Sequence, residues 1–293
     1  MKIALYGRIF SKETSQYIQL LITKLEHFKS DMIVYEPFYN LIKNKVTFSS
    51  KISLFNTHEE IKNNNIDFLF SIGGDGTLLR TITLIKDSGI PVLGINTGRL
   101  GFLSSISKEE ITSAINSIMH KNFYLDKRSL LKLETNNNLF GNTNYALNEL
   151  VIHKKDFSTM IVINAYINDK LINSYRADGL IIATPTGSTA YSLSCGGPII
   201  TPGSKNFIIT PIASHNLTVR PIVISDDNII KLKINEKNKK ILVCLDSRSE
   251  TIDSSTELVV SKESFKFNLI RMKNKNFFET IRNKLLWGLD IRN

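Results

Sequence analysis

The chain has 293 residues, of which 42% are hydrophobic, and this length and composition allow two domains with buried cores. Its net charge of +10 would suit nucleic-acid binding, but the lysines are scattered, and the densest cluster, at 231–240, lies between two apolar runs. No segment approaches the roughly 18 apolar residues of a membrane span. With only two cysteines, Cys195 and Cys244, the chain has no disulfide framework. We therefore expect a cytoplasmic protein that binds neither nucleic acid nor a membrane.

Strand and helix patterns alternate over the first 120 residues. Strands are predicted at 3–6, 32–35, 66–72 and 90–95, and helices at 14–28, 77–86 and about 107–120. The third helix opens on a capping-box pattern that starts at Ser107. Such alternation predicts a Rossmann-like parallel sheet covered by helices.

The pattern changes after about Phe123, where short β-type runs are separated by turn residues. These runs predict strands at 130–134, 160–167, 171–175, 180–183, 207–212, 229–234, 240–245, 256–260 and 266–270. A helix pattern returns at 277–289. We predict an α/β domain at 1–123, an all-β domain at 124–272, and a C-terminal helix at 273–293 that returns to the first domain.

A glycine-rich loop, Gly73-Gly74-Asp75-Gly76-Thr77, connects a strand directly to a helix. Its amide groups at the helix N-terminus favour an anion such as phosphate, and its glycines allow close approach. The spacing matches neither the common dinucleotide fingerprint nor the Walker loop. Asp75 is either a general base for an attacking hydroxyl, a metal ligand, or a cap for its own helix.

Two further features lie close to this loop in the predicted sheet. Arg80, one turn along the helix, either reaches a phosphate or lies on the surface. A second glycine turn, at 96–102, follows the next strand and ends in Phe102. Because loops at the carboxyl ends of adjacent strands line one crevice, we expect the two turns to face each other.

The β-rich region has its own polar segments. Asn148 and Glu149 interrupt an apolar run, and a buried glutamate needs a partner, unless the pair simply ends a strand in water. The hydroxyl-rich stretch at 184–192 can admit a flat ring and read its edge, or it is an ordinary connection. Asp246 ends a strand and is a candidate site residue or a turn aspartate. No His or Cys cluster has metal-ligand spacing.

These motifs together resemble bacterial NAD kinases over roughly residues 66–290. The resemblance is carried by 73–76, 96–103, Asn148-Glu149 and the long segment 178–198. The glycine loop alone is also found in 6-phosphofructokinases and in diacylglycerol and sphingosine kinases, whereas the segment at 178–198 is far more specific. A lipid kinase with the same loop and a non-enzymatic NAD sensor are the alternatives.

The resemblance implies magnesium-dependent transfer of the ATP γ-phosphate to the 2′-hydroxyl of the adenosine ribose of NAD, which forms NADP. By resemblance Asp75 is the general base, Arg80 lies near phosphate, and magnesium arrives with ATP without a dedicated protein site. The implied NAD-binding residues are Asp75, Gly76, Arg80, Asn148, Glu149, Arg176, Asp178, Thr189, Ala190, Tyr191, Ser192, Leu193 and Ser194, with Phe102 and Asp246 as further candidates. A homodimer or homotetramer is also implied. Thr159 and Arg248 depart from one branch of the family, where some members carry His and Gln.

Overall fold

The computed structural model describes residues 1–8, 11–98, 101–155, 160–235, 240–273 and 275–288. Parts of the turn predicted at 96–102 and of the lysine cluster at 231–240 lie outside the described residues, as does Thr159. The chain divides into two compact units, one formed by Met1–Lys127 with Asn268–Asn293 and the other by Arg128–Phe267. The domain limits predicted from the sequence stay a prediction.

The first part of the chain alternates strands and helices. In order these are β1 (Lys2–Gly7), α1 (Ser15–His27), β2 (Asp31–Tyr35), α2 (Glu36–Ile42), β3 (Ser53–Phe55), α3 (His58–Asn63), β4 (Phe68–Ile72), α4 (Asp75–Ile85), β5 (Val92–Asn96), β6 (Ile106–Ser107), α5 (Ile111–Met119) and β7 (Phe123–Arg128). Single 3-10 turns precede α1 and α5. The apolar stripe of α1, which includes Leu21 and Leu25, is buried against the sheet in one core with α5.

Strands and two helices make up most of the rest of the chain. They are β8 (Leu131–Thr135), β9 (Tyr145–Ala146), β10 (Glu149–Lys154), β11 (Ile161–Ile167), β12 (Lys170–Ala177), β13 (Gly179–Ala183), then α6 (Tyr191–Ser194), β14 (Asn206–Ile212), β15 (Ile222–Ser225), β16 (Ile230–Ile234), β17 (Ile241–Leu245), β18 (Arg248–Ile252), β19 (Leu258–Lys262), β20 (Phe267–Met272) and α7 (Phe277–Leu285).

The sheet of the first unit has the order β3-β2-β1-β4-β5-β20-β7, and β6 pairs with β5. Strands β1 to β5 pair in parallel, and they read as nearly continuous apolar runs because helices cover both faces of such a sheet. The order reverses beside β1, so β4 and β5 carry their following loops at one edge. The glycine loop between β4 and α4 lies at this edge.

The second unit contains two six-stranded antiparallel sheets, ordered β15-β14-β13-β10-β17-β18 and β12-β11-β16-β19-β8-β9. One buried cluster takes residues from both sheets, for example Ile152 and Ile182 of the first and Ile163 and Val260 of the second. The other face of β13 and β14 is also buried, under Cys195 and Ile200. The chain that crosses this outer face is the hydroxyl-rich segment singled out in the sequence.

The predicted fold class, an α/β region followed by a β-rich region and a C-terminal helix, is confirmed. One strand lies elsewhere than the sequence indicates: the run at 266–270 resembles its β neighbours but pairs as β20 in parallel with β5 of the first sheet. Short elements such as β3 and β18 escaped prediction because three to five residues carry little periodicity. Within the described residues, no helix is long and apolar enough to cross a membrane.

Candidate active site

The glycine loop opens α4 in the manner its sequence predicts. Gly73 has φ +146°, and a Cβ atom there would lie 2.5 Å from Thr77 Oγ1, so only glycine fits. Gly74 precedes the helix without a side-chain cap. The Thr77 amide donates to the Gly74 carbonyl at 3.0 Å, so the amides of Asp75 and Gly76 are the first-turn donors that remain for a ligand. Beside Gly76 there is open space within 4 Å of an added Cβ. This end of α4 can therefore receive an anion.

Asp75 is the first residue of α4, but its carboxylate does not cap that helix. Its oxygens accept hydrogen bonds from three consecutive amides: Phe102 at 2.7 Å, Leu103 at 3.1 Å and Ser104 at 2.8 Å. Gly101 permits this approach, because a Cβ there would lie 1.8 Å from Asp75 Oδ1. A carboxylate offers about four acceptor positions, so three amides leave room for one further donor.

The other candidate residues of the first unit are Arg80 and Phe102. Arg80 lies exposed on α4. Burial raises the pKa of Tyr6 to about 12, and the positive charge of Arg80 acts in the opposite direction. Phe102 is half-buried, and its ring lies 4.7 Å from the Lys284 ammonium of α7. Contact of either residue with a ligand stays a prediction.

Asn148 and Glu149 form the polar centre of the second unit. Glu149 is 8% exposed, and its Oε1 accepts the Tyr191 amide at 3.4 Å. Glu149 Oε2 and Asn148 Oδ1 are buried and have no hydrogen-bond partner among the described residues. Burial, and secondly the charge of Asp246, raise the pKa of Glu149 to about 7. Two adjacent unpartnered acceptors suit a ligand that brings hydroxyl or amide donors.

The segment at 184–194 packs directly against this pair. The Thr184 hydroxyl donates to the Leu147 carbonyl, and its amide donates to the Asn148 carbonyl at 2.8 Å. Gly187 is required here because a Cβ would lie 2.2 Å from the Asn148 oxygen. The buried Ser192 hydroxyl forms a hydrogen bond with the Thr210 hydroxyl at 2.8 Å, so this side chain points into the interior of the unit.

The remaining members of this segment lie nearer the surface. Thr189, Ala190 and Leu193 are half-buried, and Tyr191 and Ser194 are exposed. Burial, followed by the charges of Cys195, Glu149 and Asp178, raises the pKa of Tyr191. The structure therefore brings Tyr191, Glu149 and Asp178 into one neighbourhood.

Asp178 and Arg176 lie at the junction of β12 and β13. The Asp178 carboxylate pairs with Lys154 at 2.6 Å, and the lysine side chain is only 13% exposed. Arg176 is exposed, and its amide and carbonyl bond to Asn216 and His215. Nothing in the sequence singles out Lys154, because a lysine at the end of a strand is usually a surface charge.

Asp246 occupies the turn between β17 and β18 with φ +52°. Its carboxylate accepts the amides of Leu147 at 2.9 Å, Asn148 at 2.8 Å and Glu149 at 3.1 Å. Burial raises the pKa of Asp246, and these amides oppose that effect. Asp246 is thus a turn aspartate that also holds the backbone of the two polar residues.

No group of three or more His, Cys, Asp or Glu side chains that could hold a metal occurs in the part of the chain that is described. A metal brought in by phosphate oxygens needs no such group.

Comparisons with known proteins point to one family, both for the two parts of the chain and for its full length. A family model described as the ATP-NAD kinase N-terminal domain matches residues 4–123, and one described as the ATP-NAD kinase C-terminal domain matches 147–272. An NAD kinase of Cytophaga hutchinsonii is 43% identical and is covered in full, as is this chain.

Two solved structures share the fold. A yeast NADH kinase complexed with NADH matches with a TM-score of 0.88 at 24% identity, covering 100% of this chain and 89% of that one. An NAD kinase from Archaeoglobus fulgidus in complex with ATP matches with a TM-score of 0.77 at 25% identity, covering 98% and 99%. The resemblance inferred from the motifs is confirmed, and nothing supports the lipid-kinase alternative. This chain belongs to the NAD kinase family and is a phosphotransferase.

Proposed function

We propose that the enzyme transfers the γ-phosphate of ATP to the 2′-hydroxyl of the adenosine ribose of NAD and releases NADP and ADP. The observation that carries the proposal is the position of Asp75, at the first residue of α4 and beside amides that are open to an anion. This pairing of a carboxylate with a phosphate-binding helix end is what phosphoryl transfer to a hydroxyl requires.

The first unit carries the transfer chemistry in this proposal. The 2′-hydroxyl donates its proton to the acceptor position that Asp75 retains, while its oxygen bonds to the γ-phosphorus. The bond from that phosphorus to the bridging oxygen then breaks, and ADP leaves with the electron pair. The amides at the start of α4 bind the phosphates, with Arg80 nearby, and Gly76 contacts the dinucleotide.

The second unit holds the dinucleotide in this proposal. Glu149 Oε2 and Asn148 Oδ1 accept hydrogen bonds from ribose hydroxyls, which would satisfy two buried acceptors. The segment from Thr189 to Ser194 lies against adenine and ribose, and Arg176 and Asp178 border the nicotinamide end. Phe102 and Asp246 are further candidates, of which Asp246 acts through the backbone amides that it holds.

We further propose that magnesium, carried by the ATP phosphates, neutralises charge during the transfer. The ATP complex of the Archaeoglobus fulgidus relative supports the nucleotide assignment. We also propose that the enzyme is cytoplasmic and forms a homodimer or a homotetramer. Sedimentation of the purified enzyme tests the oligomeric state.

The proposal is tested by substituting Asp75→Asn and measuring NADP formation with a dehydrogenase specific for NADP. Asparagine keeps the shape, but it loses proton affinity and turns an amide group toward a backbone N–H. We expect kcat to fall by about 100-fold or more. Asp87→Asn, exposed beyond the other end of α4, is the matched control and should keep wild-type activity.

Two outcomes would contradict the proposal. One is the absence of NADP formation by the wild-type enzyme with ATP and magnesium. The other is an Asp75→Asn enzyme that retains activity within about threefold of wild type, well short of the loss expected for a general base. Tight NAD binding without turnover in either protein would favour an NAD sensor.

A further inference from the structure

The turn at 245–248 contacts the backbone of the segment 143–149, which includes Asn148 and Glu149. Leu245 pairs with Arg248, so the hairpin of β17 and β18 closes over two residues, Asp246 and Ser247. Asp246 has a positive φ, a conformation that aspartate tolerates better than most side chains. The side chains of Asp246 and Arg248 both reach back to the segment 143–149.

Arg248 holds the first half of that segment. Its guanidinium donates to the carbonyl oxygens of Thr143 and Tyr145 through two different nitrogens. It also lies 5.9 Å from the ring centres of both Phe140 and Tyr145. The side chain is half-buried, so these contacts fix its position.

Asp246 holds the second half, through the amides of Leu147, Asn148 and Glu149. The opposite charge of Arg248 favours the ionised carboxylate of Asp246, against the burial that raises its pKa. This turn therefore hydrogen-bonds to the backbone of five residues between 143 and 149. From this backbone Asn148 and Glu149 each present a buried acceptor that has no hydrogen-bond partner among the described residues.

We propose that Arg248 is a positioning residue for the NAD site, acting through Asp246 and the segment 143–149. The inference rests on the proposed binding of NAD by Asn148 and Glu149. A guanidinium is a rigid planar fork that can reach two carbonyls at once, which neither glutamine nor lysine can do in the same way. Arg248 should therefore affect NAD binding without touching the dinucleotide.

The test compares Arg248→Gln with Arg248→Lys. The glutamine variant loses the charge and the fork, whereas the lysine variant keeps the charge alone. We expect the KM for NAD to rise about tenfold in both, the loss expected from one weakened hydrogen bond, while kcat and the KM for ATP change less than about twofold.

Arg220→Gln is the matched control, because Arg220 also donates to two backbone carbonyls, those of Leu217 and Val219, in the same unit. It should leave the KM for NAD unchanged. A uniform loss of kcat in the Arg248 variants with an unchanged KM for NAD would show a role in folding alone and overturn the inference. An equal rise of KM in the control would also overturn it.

Hydrogen exchange gives a readout that does not depend on catalysis. The amides of Leu147, Asn148 and Glu149 should exchange faster in Arg248→Gln than in wild type and remain unchanged in Arg220→Gln. Unchanged exchange at these three amides would refute the positioning role. If the wild-type enzyme formed no NADP, the proposed function would fail, and this exchange comparison would still decide the role of Arg248.

Discussion

Replacing Glu149 by glutamine should stabilise the protein at high pH and have little effect at low pH. Glu149 is buried, one of its oxygens has no hydrogen-bond partner in the described part of the chain, and its pKa is raised from 4.5 to about 7 in the folded protein. The folded state therefore binds a proton more tightly than the unfolded state. The stability linked to this group is fully present below pH 4.5 and is lost as the pH rises toward 7.

The size of the effect follows from the same pKa values. A rise from 4.5 to about 7 corresponds to about 3 kcal/mol of unfolding free energy above pH 7. Glutamine has nearly the same shape and carries no charge, so it avoids this cost. Glu149→Gln should therefore exceed wild type by up to about 3 kcal/mol at pH 8 and match it near pH 4.5.

Urea unfolding followed by circular dichroism between pH 4.5 and 8.5 measures the difference. Glu250→Gln, an exposed position on β18 of the same unit, is the control and should show no such trend. A difference between Glu149→Gln and wild type that stays constant with pH, or that grows toward low pH, would refute the reasoning. The same variant should bind NAD more weakly above pH 7, because it lacks the ionised acceptor.

Two further substitutions test contacts that the sequence did not reveal. Gly101→Ala places a methyl group against the Asp75 carboxylate and should lower the rate of NADP formation by at least about tenfold. The control Gly203→Ala, where an added Cβ has no neighbour within 4 Å among the described residues, should keep the wild-type rate, and equal rates in the two variants would contradict the prediction. Lys154→Met removes the ion-pair partner of the Asp178 carboxylate and should lower the free energy of unfolding by about 1–2 kcal/mol, measured by thermal unfolding. The double variant Lys154→Met/Asp178→Asn should recover part of this stability, and additive losses would show that the pair is not coupled.

The parts of the fold that the sequence predicts are those with long periodic patterns. Helix α1 and the strand pair β11–β12 span enough residues for their apolar spacing to stand out, and both were predicted. Strand β20 shows the limit, because a short apolar strand looks the same in a parallel or an antiparallel sheet. Its pairing with β5 depends on tertiary contacts between residues far apart in the chain.

The candidate site divides in a similar way. Asp75 stands out in the sequence because it lies in a glycine-rich loop, and Asn148 and Glu149 stand out because they interrupt an apolar run. Their hydrogen bonds are not visible, because the partners lie far away in the chain: Asp75 meets the amide of Ser104, and Asn148 meets Asp246. The roles of Lys154 and Arg248 are not visible in the sequence for the same reason, since each acts on a residue that no spacing rule connects to it.

Asp75 and Asp246 show why residue type and hydrogen-bond count together still do not assign a role. Each carboxylate accepts three consecutive backbone amides, and each thereby shapes the loop beside it. Their surroundings differ. Asp75 begins α4, next to amides that can bind phosphate, so a hydroxyl brought to that phosphate meets its remaining acceptor position. Asp246 lies in a hairpin turn next to Arg248, whose positive charge favours the ionised carboxylate against the effect of burial. In the proposed mechanism, the helix terminus rather than the carboxylate itself is what distinguishes the base, Asp75, from the positioning group, Asp246.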